Sequence, residues 1–105
     1  MNKHFTDVTG WPNDSFVLPR YDIAVVTGTY NRAHLLLRSL FHYQACKRPQ
    51  YRKAIENETG QISYVIDADY SICIVVMDDG STDFTRELCE KFANEQLPIY
   101  YFYMG

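Results

Sequence analysis

The sequence predicts an α/β fold on an open parallel sheet, entered as a βαβαβ unit. Three short apolar runs predict the strands: residues 22–27 ("DIAVVT"), 72–77 ("ICIVVM") and 99–104 ("IYYFYM"). Two stretches with apolar residues at helical spacing lie between them. The middle run is apolar on both faces, the pattern of a strand in a parallel sheet covered by helices on both sides. Strands alternating with helices in this order call for a parallel sheet with right-handed crossovers.

Residues 1–20 are irregular, with Gly10, Pro12 and Pro19 as breakers. They form an arm whose Trp11, Phe16 and Leu18 can pack onto the body. The β-branched run at 22–27 then leads into the turn "GTYN", and Asn31 is placed as a helix N-cap. From Arg32 to about Cys46, the residues Ala33, Leu36, Leu37, Leu40 and Phe41 make one apolar stripe. Pro49 ends that helix. Residues 47–60 are polar, and 51–58 ("YRKAIENE") predict a turn or two of further helix. Residues 62–67 ("ISYVID") alternate as an extra strand would. After 72–77 comes "DDGSTD", then a second helix over 83–94 with Phe84, Leu88 and Phe92 inward. Ser81 or Thr82 is placed to cap it, and Asp83 and Glu87 suit the positive end of its dipole. Pro98 stops this region before the last strand.

The composition is 47% hydrophobic and 22% charged, which excludes a disordered chain, and 105 residues suffice for one core. The net charge of −3 argues against a nucleic-acid surface. The one basic cluster, Lys47, Arg48, Arg52 and Lys53, reads as a solvated face. Cys46, Cys73 and Cys89 show no metal-ligand spacing, and the last two read as small core residues in a reducing compartment. No apolar stretch approaches the roughly 20 residues of a membrane span, and the N-terminus lacks the apolar core of a signal peptide. The expected location is the cytoplasm or the cytosolic face of a membrane, which leaves room for membrane association of a longer parent.

Ligands of open α/β sheets bind at the carboxyl ends of the strands. Two such ends are legible, "GTYNR" at 28–32 and "DDGSTD" at 78–83. Gly28 lets a ligand approach the backbone of Gly28 and Thr29. Tyr30 offers an aromatic face, Asp79 an acceptor, and Arg32 a partner for phosphate. Two adjacent carboxylates at a strand end repel each other and cost solvation. The expectation is that Asp78 turns back to the loop backbone and that Asp79 faces a ligand.

In "IAVVTGTYNRAHLLLRSL" followed by "ICIVVMDDGSTDFTRELCEKFA", the chain resembles the opening half of a family 2 glycosyltransferase of the GT-A fold, a Rossmann-like sheet. The resemblance covers roughly residues 22–104. It implies residues 21–105 as the N-terminal nucleotide-binding part of a larger domain, behind the arm at 1–20. It also implies a nucleotide-sugar donor, most often UDP-linked, and a glycan, lipid or protein acceptor. In that likeness Tyr30 stacks on or flanks the base and Asp79 accepts from the base imide, with the Gly28–Thr29 backbone nearby. Two departures stand out. Gly28 replaces a residue that is usually proline or similar, and about 20 extra residues, near 47–68, precede the second strand.

Such enzymes stabilise the leaving diphosphate with Mg²⁺ or Mn²⁺ held by a D-x-D motif after a later strand, and use a further carboxylate as base. "DAD" at 67–69 has the D-x-D form but precedes "DDGSTD", and reads as an exposed turn. The expectation is thus a portion that binds donor, lacks the metal ligands and the catalytic residues, and is inactive alone. Its aromatic end, Tyr100 to Tyr103, favours self-association. A nucleotidyltransferase or dinucleotide fold would need a glycine-rich phosphate loop that "GTYNRA" does not supply. The other reading is a non-catalytic nucleotide-binding or assembly module on the same fold.

Overall fold

The structure, a computed structural model, describes residues 2–8, 16–46 and 50–104. The elements are β1 (Phe5–Asp7), β2 (Ile23–Thr29), α1 (Ala33–Ala45), β3 (Gln50–Glu56), β4 (Ile62–Asp69), β5 (Ile72–Asp78), α2 (Thr85–Phe92) and β6 (Ile99–Tyr103). Four strands form one sheet in the order β1-β6-β5-β2, every pair parallel. The predicted βαβαβ unit is present as β2-α1-β5-α2-β6, a Rossmann-like open sheet.

The sheet has one strand more than expected. β1 lies in the segment read as irregular and pairs with β6, Phe5 opposite Ile99 and Asp7 opposite Tyr101. Its three residues are too few to show a periodicity. What holds it is tertiary. Arg86 of α2 pairs with Asp7 at 2.7 Å, and the Asn2 amide donates to the carbonyls of Glu90 and Ala93 at 2.8 and 2.6 Å. Those carbonyls belong to the last turn of α2, whose acceptors lack partners within the helix.

Both helices sit on the same face of the sheet. The strand order runs one way, β2 to β5 to β6, so successive crossovers of one hand stay on one side. Ala33, Leu36 and Leu40 of α1 and Leu88 and Cys89 of α2 close over Ile74, Val76, Ile99 and Tyr101. The expected helical cover on both faces of β5 is therefore not what forms. Cys73, Val75, Tyr100 and Phe102 are instead buried under Val8, Phe16 and Tyr21 from the N-terminal segment. Phe16 packs edge-on against Phe102, and the Tyr21 and Tyr100 hydroxyls meet at 2.7 Å. Phe16 thus does what the arm predicts, whereas Leu18 stays at the surface; Gly10, Trp11 and Pro12 lie outside the described residues.

Residues 51–58 do not form the expected helical turns. β3 and β4 make an antiparallel ribbon between α1 and β5, Arg52 opposite Ile66 and Glu56 opposite Ile62. Its turn explains the choice. Asn57 Oδ1 accepts from the Thr59 and Gln61 amides at 3.0 and 2.9 Å, and Gly60 sits at φ 81, where a side chain is strained. Asp67–Asp69 accordingly belongs to the end of β4 and is not a turn. Lys47, Arg48 and Pro49 lie outside the described residues. The radius of gyration is 17.7 Å, against about 13 Å for a compact chain of this length, because the ribbon projects from the body.

Cys73 and Cys89 are fully buried and Cys46 is exposed. Burial pushes both buried thiols up, that of Cys89 to about 12 with help from the Asp78 charge. In the native protein a thiol-reactive disulfide reagent at pH 8 should label Cys46 quickly. Cys73 and Cys89 should react only after denaturant is added, and fast labelling of all three would contradict this core.

Candidate functional site

β2 and β5 are neighbours in register from Ile23 opposite Ile72 to Thr29 opposite Asp78. Their carboxyl ends therefore open side by side, and the turns that follow them meet. The Asp79 amide donates to the Thr29 carbonyl at 2.9 Å, which extends the pairing by one step past the strands.

The two carboxylates of Asp78 and Asp79 part company here. Asp78 has no exposed surface. A buried carboxylate needs donors, and it has two. Its Oδ1 accepts from the Ser81 amide at 2.9 Å, and its Oδ2 accepts from the Tyr101 hydroxyl of β6. The chain returns to offer that amide because Gly80 adopts φ 95, a conformation glycine enters without a Cβ clash. Burial and the hydrogen bond to Asp78 both raise the Tyr101 pKa, so its proton stays on the phenol. Asp79 is exposed and points away from this network's core.

A second set of bonds ties the two turns together. The Asn31 amide donates to Ser81 Oγ at 2.8 Å, and Asn31 Oδ1 accepts from the Thr82 and Asp83 amides at 2.8 and 3.3 Å. Asp83 Oδ2 in turn accepts from the Ala33 amide, the first of α1, at 3.2 Å. Asp83 thus serves both helix starts, α1 from the other loop and α2 from two residues away, and the caps are not where the sequence places them. Asn31 does not cap α1; it sits at φ 48, and Arg32 holds the N-cap position without a side-chain bond. Ser81 and Thr82 do not cap α2; Asp83 Oδ1 accepts from the Thr85 amide at 3.0 Å and from the Thr85 hydroxyl. Asparagine is among the few residues that enter the left-handed region readily, so "YNR" carried a signal for that turn. Nothing local marked Tyr101 as a partner of Asp78.

Gly28, Tyr30, Arg32 and Asp79 of the predicted site are exposed around the ends of β2 and β5, whereas Thr29 is buried and its carbonyl is taken by the Asp79 amide. Gly28 and Thr29 end β2, Tyr30 follows at 55% exposure, and Arg32 is exposed at the start of α1. A Cβ on Gly28 would meet nothing within 4 Å, so the rim is an open ledge and not a walled pocket. A cavity of about 370 Å³ lies on the other side of the same loop. Asp7, Ser81, Asp83, Arg86 and Tyr103 are among its lining, and Tyr30 and Asp79 are not. Among the described residues no group of three or more His, Cys, Asp or Glu side chains is placed to hold a metal ion. The donor set at the ledge does not fit one either, since Asp78 is consumed by Ser81 and Tyr101. No helix among the described residues is long and apolar enough to cross a membrane. No family model matches the chain, and neither a curated protein nor a solved structure matches it.

Tyr101→Phe should leave Asp78 short of a donor and lower stability by about 2 kcal/mol, the range for hydrogen bonds to charged groups, read from the urea midpoint. The Thr85 hydroxyl, with the Ala33 and Thr85 amides, holds the Asp83 pKa below its usual value. Its contribution is therefore complete above about pH 4 and is lost as pH falls through the lowered value. Wild type should lose more stability between pH 5 and pH 2, in order-of-magnitude terms, than Asp83→Asn does in paired denaturation curves.

Proposed function

We propose that the ledge formed by Gly28, the Thr29 backbone, Tyr30, Arg32 and Asp79 binds the nucleoside part of a uridine-based nucleotide-sugar donor, as the donor-binding portion of a glycosyltransferase. One observation carries the reading. Two turns that resemble the family 2 motifs leave adjacent parallel strands and are bonded into one rim, with the first carboxylate of "DDGSTD" turned inward and the second left outside. A strand-end rim of this sort is where open α/β sheets take ligands.

In this reading the Asp79 carboxylate accepts from the imide N–H of the base. Tyr30 stacks on its face, and the bare backbone at Gly28 lets the ribose come close. Arg32 meets the phosphates as a charge-assisted donor. Mg²⁺ or Mn²⁺ and the acceptor-activating base belong to the parent enzyme of the GT-A type, outside these residues. The chain by itself binds donor without transferring sugar to a glycan, lipid or protein acceptor.

Calorimetric titration with UDP tests this. Stacking and an imide hydrogen bond are each worth roughly 1–3 kcal/mol. Tyr30→Ala and Asp79→Ala should therefore each weaken binding by about fivefold or more. UDP methylated at N3 of the uracil should lose affinity for wild type and little for Asp79→Ala. Binding that neither substitution weakens, or no UDP binding at all, would overturn the assignment.

A further inference from the structure

The ribbon of β3 and β4 is two strands wide, and every described side chain from Arg52 to Val65 is exposed. Ile55, Ile62, Tyr64 and Val65 are 44%, 59%, 69% and 42% exposed. A lone two-stranded hairpin is marginal in water, and three or more strands are needed for independent stability. Each of its strands also has an outer edge of backbone groups unpaired within the ribbon, which is a template for another strand.

The two edges differ in chemistry. β3 carries Arg52, Lys53 and Glu56, the charged pattern that blocks edge pairing. β4 is uncharged from Ile62 to Ile66, and Gln61 before it is neutral; this is a run of β-formers with neither proline nor glycine. The run is also self-complementary. If two copies pair β4 antiparallel about a twofold axis at Tyr64, Ile62 stands opposite Ile66 and Ser63 opposite Val65. Asp67 and Asp69 then fall opposite Gln61 and Thr59, so no carboxylate faces another.

We propose that this chain forms a twofold dimer by joining the β4 edges of two copies into a four-stranded antiparallel sheet in the order β3-β4-β4-β3. The contact is isologous and closes at two, because the edges left outside are the charged β3 strands. This assembly leaves the ledge at the ends of β2 and β5 uncovered and does not depend on what binds there.

Sedimentation equilibrium under reducing conditions, at high micromolar concentration, is the test. Wild type should have the mass of two chains. Tyr64→Lys sets like charges opposite each other on the axis and should reduce the mass to one chain, whereas Lys53→Glu on the other edge should leave the dimer. A Tyr64→Cys variant in a Cys46→Ser background should form an intermolecular disulfide on mild oxidation, a readout that needs no loss of structure. A monomeric wild type, a dimer that survives Tyr64→Lys, or a Tyr64→Cys chain that does not cross-link would each overturn the proposal.

Discussion

A carboxylate with no solvent-accessible surface has to be given donors by its own chain, and at the end of β5 that requirement organises the surroundings of Asp78. One donor is the Ser81 amide, which can reach it only if the chain doubles back through the left-handed turn at Gly80. The other is the Tyr101 hydroxyl, which comes from the neighbouring strand and so links the loop to the middle of the core. With Asp78 committed inward, alternation along the strand and the turn after it send Asp79 outward. The repulsion between two adjacent acids is relieved by putting one in a hydrogen-bonded interior and the other in water.

The same turn position then feeds the cross-bonded loops. Ser81 donates to Asp78 through its amide and receives the Asn31 amide on its hydroxyl, so a single residue serves both networks. Asp83 spans the starts of two helices. The rim is held by bonds between segments some 50 residues apart in sequence, so its shape is fixed by the fold and not by the local chain. The N-terminal segment secures the far edge of the sheet and its helix-free face. It lends β1 to one sheet edge, closes the last turn of α2 with Asn2, and covers with Phe16 and Tyr21 the sheet face that the helices leave bare.

Much of the sheet was legible because its signal is local. The apolar runs at β2, β5 and β6 and the stripes of α1 and α2 predict five elements within a residue or two of where they form. The predicted rim residues also lie together, because strand-end position follows from element order. What the sequence concealed depends on partners far along the chain. β1 is three residues whose strand state is decided by β6 and by Arg86. The caps expected of Asn31 and of Ser81 or Thr82 fall instead to Asp83, which reaches the first amide of α1 from the other loop. Tyr101 looks like one aromatic among several in "IYYFY", and only the parallel register with β5 gives its hydroxyl a carboxylate. Residues 51–58 mislead differently. Lysine, alanine and glutamate favour a helix, but cross-strand pairing with β4 and the Asn57–Gly60 turn override that preference.

The ribbon also has a topological property of its own. Because β3 and β4 run antiparallel, Gln50 and Asp69 are register partners, and the excursion ends beside its own starting point. To the parallel sheet the whole insertion behaves as a point on the connection from α1 to β5. Its length can change by pairs of residues, or its tip can be replaced, while β5 keeps its alignment with β2 and the ledge keeps its geometry. The fold thus offers a graft site where new surface can be added to this protein without disturbing the ends of β2 and β5.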